Sequence, residues 1–419
     1  MEFFKFSERI NKASEKAVQS TKEMFAKLDE IGEYNQQKVL ASFIRNGVCE
    51  ADLGETTGYG YGDRGREKLD KIYAEVFGAE DAIVRHSFTC GTHTLTVALF
   101  GVLRPGDTML CVTGTPYDTI HGVIGITGEG MGSLKDFGVK YEQVDLDKNG
   151  EPDLEAIKEA VKKNPKMVYI QRSRGYSLRP SLSVETIGKI CDIVHKNSNA
   201  IVMVDNCYGE FTEKTEPTDA GADLIAGSLI KNAGGAIART GGYIAGRKDL
   251  VELCAYRATT PGLGKEVGCT LGENRNMFMG FFNAPNVVTN ALKTAVFSAA
   301  MFEDFGFKVT PASNEERHDI IQALCLETPE RLIAYCKGIQ SGAPVDSFLD
   351  PEPWDMPGYD SKVIMAAGAF IMGASIELSA DAPLREPFAV WMQGGITFPT
   401  AKTAVMLAAQ KLENEGLLK

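Results

Sequence analysis

The sequence predicts an α/β protein: a large, doubly wound, mainly parallel sheet covered by helices on both faces, followed by a smaller C-terminal α+β domain. Three observations predict it. From about Asp81 onward, short apolar runs alternate with amphipathic segments of helical length, the pattern of strands joined by crossover helices. Runs such as 200–204 are apolar at every position, as strands buried under two helical layers must be. Past Asn283-Ala284-Pro285-Asn286 the composition shifts to one long apolar helix and then to strands with few crossover helices between them.

Taken in order, residues 1–51 read as a helical arm or oligomer contact, because Ile10, Ala17, Phe25, Leu28 and Ile31 recur at near-helical spacing among Lys, Glu and Gln. A Gly/Tyr-rich loop, 54–65, and a helix, 66–77, follow. Strands are expected at 82–84, 108–112, 167–170, 200–204, 223–230 and 241–245. Helices are expected at 94–103, ended by Pro105-Gly106, and at 153–163 and 184–197. Residues 52–285 make the α/β domain and 286–419 the smaller one. The latter should hold a helix over 287–303, strands at 345–348, 362–370, 375–378 and 388–393, and a terminal helix from Thr400.

Length and composition bound the function. At about 150 residues per domain, 419 residues make two or three folding units. The apolar fraction of 44% and charged fraction of 24% are those of a globular chain, which sets aside long disorder. A formal net charge of -12 repels phosphate backbones, so no nucleic-acid partner is expected. No run reaches the ~18 apolar residues that span a bilayer. The nearest, 363–376, is broken by Gly368 and Gly373 and flanked by Lys362 and Glu377, so no membrane partner is expected. The start MEFFKFSERINK lacks the apolar core of a secretory signal. Nine cysteines, an odd number with no CxxC pair, fit free thiols in a reducing cytoplasm. The five histidines form no HExxH or HxxxH pair, so no metal site is expected.

In an open parallel sheet, ligands bind beyond the carboxyl ends of the strands. Asp205 ends the run 200–204. A carboxylate there is costly without a cationic partner and is a catalytic candidate. It also reads as a turn cap, since Asp205-Asn206 is good turn chemistry. Lys231 closes the apolar stretch in Gly227-Ser228-Leu229-Ile230-Lys231-Asn232-Ala233-Gly234-Gly235. Burial would lower its pKa and yield an amine fit for a Schiff base, whereas a lysine snorkelling from a strand end reads the same way. Cys90-Gly91-Thr92-His93-Thr94 opens a helix whose free N–H groups and dipole favour an anion. The alternative there is an ordinary glycine turn with a threonine cap.

In this order, a phosphate-type helix start, a strand-end aspartate and Ser228-x-x-Lys231 resemble the fold-type I pyridoxal 5'-phosphate enzymes, most closely their Cys/Met-metabolism branch. The wording Pro116-Tyr117-Asp118-Thr119, Val204-Asp205-Asn206-Cys207-Tyr208-Gly209-Glu210 and Gly227-Ser228-Leu229-Ile230-Lys231-Asn232 resembles the methionine gamma-lyase family, in its cystathionine beta-lyase-like, aluminium-resistance subgroup. The resemblance runs through nearly the whole chain. It implies pyridoxal phosphate held as a covalent aldimine on Lys231, which also moves the Cα proton. It implies Asp205 as the partner of the pyridinium nitrogen. Gly91 and Thr92 would offer backbone N–H groups, and Ser228 its hydroxyl, to the phosphate. Tyr117 would stack on the ring, a packed surface tyrosine being the alternative. Tyr59, Tyr61 and Arg64 would reach a neighbour's phosphate, which makes the protein a homodimer or homotetramer with shared sites; otherwise they form a turn-rich surface loop. Arg385, in Ala382-Pro383-Leu384-Arg385-Glu386-Pro387, is the candidate grip on a substrate carboxylate, or an exposed arginine beside Glu386.

The implied activity is a pyridoxal-phosphate-dependent carbon–sulfur lyase, eliminating a thiol from the β or γ carbon of an amino acid such as cystathionine or methionine. An aldol-type lyase, a sulfhydrylase, a racemase or a non-catalytic carrier of the cofactor are the alternatives. A carrier needs neither Lys231 nor Asp205. Departures from the family pattern bear on the substrate: Ile230 stands where a threonine precedes the lysine, the tyrosine–arginine spacing is Tyr61-x-x-Arg64, and no C-terminal carboxylate motif is legible. Gly60-Tyr61-Gly62-Asp63-Arg64-Gly65 matches GxGxxG, but no buried strand precedes it, so no dinucleotide site is expected.

Overall fold

The computed structural model describes residues 3–356 and 361–419. Contacts divide the chain into two compact units: Tyr34–Ala284, and Met1–Glu33 together with Pro285–Lys419.

Among the described residues, the first unit is built on a seven-stranded sheet of β1 (Asp81–Arg85), β2 (Thr108–Cys111), β3 (Lys140–Gln143), β4 (Met167–Gln171), β5 (Ile201–Asp205), β6 (Leu224–Ser228) and β7 (Gly242–Gly246). Its order is β1-β7-β6-β5-β4-β2-β3. β2 to β6 pair in parallel, and β7 runs antiparallel to both β6 and β1. The expected doubly wound, mainly parallel sheet is thus present. Every residue of β4 to β7 is buried, which is why these strands read as unbroken apolar runs. One strand of this sheet was not expected: β3 (Lys-Tyr-Glu-Gln) lies at the sheet edge, partly exposed, and carries no apolar signal. Val97, Leu99, Met109, Tyr169, Met203 and Ile244 belong to one buried apolar cluster of this unit.

Three chain segments converge where the sheet's strands end. β5 finishes on Asp205 and β6 on Ser228, and the helix Gly91–Val102 begins six residues after β1. That helix starts three residues before the expected position because the Cys90 thiol serves as its cap, accepting from the His93 N–H at 3.3 Å.

The second unit holds a five-stranded antiparallel sheet among the described residues. Its strands are β8 (Lys308–Thr310), β9 (Ile321–Cys325), β10 (Val363–Ala366), β11 (Ser379–Pro383) and β12 (Ala389–Gln393), in the order β10-β11-β12-β9-β8. The helices Pro329–Ser341 and Phe398–Asn414 close on each other through Gly338, where a Cβ would lie 2.3 Å from Ala408 Cα. Ile10, Ala13 and Ala17 of the helix Glu8–Ser20 share a core with Phe302, Tyr335 and Val390. This is the expected α+β arrangement, with local corrections. Segments 345–348 and 375–378 are turns, not strands. In the second, the Glu377 carboxylate accepts the N–H groups of Phe370 and Ile371, both at 2.8 Å, and folds the chain back on itself. The expected break at Asn283-Ala284-Pro285-Asn286 is absent: one helix runs Asn274–Asp304 with Pro285 inside it. Buried apolar residues before the proline (Phe278, Phe281, Ala284) and after it (Val288, Ala291, Leu292) favour continuing the helix over the one hydrogen bond lost.

Among the described residues no helix is long and apolar enough to cross a membrane. No cluster of three or more His, Cys, Asp or Glu side chains there is arranged to hold a metal ion.

Candidate active site

Asp205 is 6% exposed at the end of β5. Its Oδ1 accepts the Cys207 N–H at 3.1 Å, and the Tyr169 hydroxyl of neighbouring β4 lies 3.5 Å from Oδ2. Burial pushes this carboxyl above the ordinary range, while the Lys231 charge and the Cys207 hydrogen bonds pull it back.

Lys231 follows β6 by three residues and turns its amine onto the ring of Tyr208, 4.2 Å from the centroid. Tyr208 sits at φ +71°, a left-handed conformation rarely tolerated by a bulky side chain. The expectation that burial lowers the lysine pKa is corrected. Burial does pull it down, but the acidic groups packed around it, Cys207, Tyr208, Asp205 and Glu210, outweigh that pull and raise it. In the chain by itself the amine is held as an ammonium.

Gly91 marks where the segments meet. A Cβ placed on it would lie 3.3 Å from Ser228 Cβ, 3.6 Å from Cys207 Sγ and 3.9 Å from Lys231 Nζ. The Ser228 hydroxyl is buried and has no hydrogen-bond partner among the described residues. The first N–H groups of a helix have no acceptor within it, so those of Gly91 and Thr92 are available to an anion. The Thr92 hydroxyl meets that of Thr119 at 2.8 Å, which ties this helix start to the helix Asp118–Ile124. Tyr117 caps that second helix. It is half-buried, with its N–H on Gln171 Oε1 at 2.6 Å and its ring edge-on to Tyr176 at 5.6 Å.

A set of buried arginines escaped the sequence reading. Arg172, Arg174 and Arg179 follow β4 and are 0%, 2% and 8% exposed. Arg172 donates to Asn206 Oδ1 and Glu213 Oε1 at 2.8 Å and lies 3.3 Å from Glu216 Oε2. It can reach them because Gly209 has no side chain: a Cβ there would stand 2.4 Å from Arg172 Cδ. Arg172 therefore clamps the loop carrying Cys207, Tyr208 and Glu210. Arg172→Met leaves the Glu216 carboxylate buried without its cation, and a loss of about 3–5 kcal/mol is expected in denaturant unfolding. A loss below about 1 kcal/mol, the range of surface pairs, would show that the clamp does not hold the loop.

Three of the expected site residues, Tyr59, Tyr61 and Arg64, lie outside this group. Tyr59 and Tyr61 are 72% and 60% exposed and stack on each other at 5.5 Å. Arg64 Nε donates to Asp52 Oδ1 at 2.8 Å within its own chain. Arg385 belongs to the second unit, exposed in the turn between β11 and β12, and makes no ion pair among the described residues.

The clustered residues fit pyridoxal phosphate. An enclosed amine can meet an aldehyde, a buried acid can meet a ring nitrogen, and the idle Ser228 hydroxyl beside a side-chain-free helix start can meet a phosphate.

Comparison with known proteins agrees. The chain matches the family model described as Methionine gamma-lyase over residues 10–413. It is similar to the protein YnbB of Bacillus subtilis, with 47% identity over 393 residues covering 93% of each chain. Its structure is similar to that of a carbon-sulfur lyase involved in aluminum resistance from Clostridium novyi NT (50% identity, TM-score 0.93, 97% of this chain and 96% of that one). It is also similar to that of a Clostridium acetobutylicum protein named as a candidate cystathionine beta-lyase involved in aluminum resistance (49% identity, TM-score 0.95, 97% and 96%). The architecture is that of fold-type I pyridoxal-phosphate enzymes, as the resemblance implied.

Proposed function

Because the chain belongs to the methionine gamma-lyase family, we propose that it is a pyridoxal-phosphate-dependent carbon–sulfur lyase acting on a sulfur-containing amino acid such as cystathionine or methionine. The observation that carries this reading is the convergence of Gly91, Ser228 and Lys231 on one small space lined by Cys207, with Asp205 two residues away from that cysteine.

The bound cofactor supplies an electron sink for the negative charge that forms at the substrate Cα. Lys231 is the amine that meets the aldehyde. Its Nζ, 4.2 Å from the Tyr208 ring centroid, would also be the base that takes the substrate Cα proton. Asp205 would partner the ring nitrogen and keep it protonated. The Gly91 and Thr92 N–H groups and the Ser228 hydroxyl would hold the phosphate, and Tyr117 would pack against the ring. A thiol then leaves from the β or γ carbon. The exposed pair Tyr59 and Tyr61, with Arg64, supports a homodimer or homotetramer in which this loop completes a neighbour's site, and Arg385 is the proposed grip on the substrate carboxylate. The cysteines, free among the described residues, suit a reducing cytoplasm.

The test is product analysis. Protein loaded with pyridoxal phosphate is expected to release sulfide or a thiol, ammonia and a 2-oxo acid from at least one of cystathionine, cysteine and methionine. Exchange of the Cα hydrogen with solvent, with no sulfur product from any of the three, would replace the lyase by a racemase or another reaction sharing that first proton transfer.

A further inference from the structure

Behind the Lys231 group lies a buried polar layer that the reaction outlined above does not use. Glu210, in the loop after β5, is fully buried. The Tyr243 hydroxyl donates to its Oε1 at 2.9 Å, while Oε2 has no hydrogen-bond partner among the described residues. Space for this carboxyl is kept open by Gly227, the residue before Ser228: a Cβ there would lie 2.4 Å from Glu210 Oε1 and 2.5 Å from Tyr243 Cε1. The loop is bent to hold the acid inward, with Tyr208 at φ +71° and Phe211 at φ +63° on either side of it. Left-handed backbone at two bulky residues persists only where the surroundings impose it. Asn232, next to Lys231, donates its side-chain amide to the Glu210 carbonyl at 3.0 Å. Beyond Tyr243 the layer continues through the Asn206 amide, 3.3 Å from the Tyr243 hydroxyl and 3.1 Å from Glu216 Oε2, to Arg172. A sealed carboxyl with an idle oxygen, in a void reserved for it, is more than packing requires.

We propose that Glu210 is a positioning residue for Lys231: a carboxyl sealed in the layer behind the amine and tied through its backbone to Asn232, whose gain or loss of a proton sets how readily Lys231 releases its own. This rests on the cofactor reading of the same site. The titratable groups facing Glu210 are Tyr243 from β7, Lys231 after β6, Cys207 and Glu216 from the loop after β5, and Tyr73 from the helix Arg64–Val76. Burial pushes its carboxyl up to about 8; hydrogen bonds from its own backbone and from Tyr243 oppose that, as does the Lys231 charge, and Glu216 reinforces it. Below that point Glu210 is neutral and Lys231 faces one anion fewer. Above it the added charge holds the ammonium in place.

The experiment follows uptake of pyridoxal phosphate by cofactor-free protein, read as visible absorbance, across pH. Glu210→Gln keeps the shape and fixes the neutral state. It is expected to load like the unaltered protein in neutral buffer and about tenfold faster in clearly alkaline buffer, the effect of one pKa unit on Lys231. Tyr243→Phe removes the donor to Oε1 and should move the alkaline inflection to higher pH; it also serves if the glutamine variant does not fold. A second readout needs no cofactor. A carboxyl whose folded pKa is raised from 4.5 to about 8 contributes stability that is complete below 4.5 and is lost as pH rises through 8. The melting temperature of cofactor-free Glu210→Gln should therefore gain on the unaltered protein over that interval. Superimposable uptake profiles in protein that does colour would overturn the role of Glu210 alone. Unaltered protein that takes up no pyridoxal phosphate would overturn the cofactor reading, and this proposal with it.

Discussion

Lys231→Ala is expected to reduce turnover about 10⁴-fold, the upper range for losing one positioned proton-transfer group, and to abolish covalent attachment of the cofactor as well. On the proposed function the same amine serves both purposes, so no neighbour can take over. Cys207 is the next nucleophile at the site, but burial holds its thiol well above the ordinary range. Borohydride reduction of loaded protein should therefore fix the cofactor to the peptide containing Lys231, and to no peptide in the alanine variant. Small alkylamines added to the variant should restore part of the proton transfer, because they occupy the vacated space and a collapsed site would not respond to them. Label on another lysine would move the chemistry elsewhere in the chain.

How much of this was legible in the sequence depends on the type of burial. Asp205 and Lys231 stood out because each closes an apolar run, and such runs are what the central strands β5 and β6 require, whereas Ser228 was legible only through the family resemblance. Gly91 was legible as a helix start for the same local reason. Glu210 and Arg172 were not, because each looks like an ordinary polar loop residue after a strand. Their burial is a tertiary effect, made possible by Gly209 and Gly227, whose missing side chains leave room for the Arg172 stem and the Glu210 carboxyl. The sign of the Lys231 shift is not legible in the sequence for a similar reason. Burial alone lowers it, and the outcome turns on acidic neighbours that only the folded chain assembles. In the second unit, Glu377 turned an apolar stretch into a hairpin-like bend by capturing two backbone N–H groups, which no periodicity rule registers.

Asp205→Asn separates attachment from catalysis. The amide keeps the shape of the carboxyl and can still accept the Cys207 N–H, seen at 3.1 Å, so the loop should stay in place. What it lacks is charge. Asp205 is buried; burial pushes its carboxyl up, and the Lys231 charge and the hydrogen bonds from Cys207 oppose that. An acidic group there is what could hold a proton on a ring nitrogen, and an amide cannot replace it. Turnover is expected to fall about 10²–10³-fold, the usual effect of deleting one preorganised electrostatic partner of the reacting group. Borohydride should still fix the cofactor to Lys231, because the amine is untouched. Losing an anionic neighbour also lowers the Lys231 pKa, so uptake of pyridoxal phosphate should be faster in the variant in neutral buffer, not slower. A variant that loads normally and retains activity within about threefold would mean that the acid at the end of β5 serves the loop and not the ring, since one lost electrostatic partner costs far more than that.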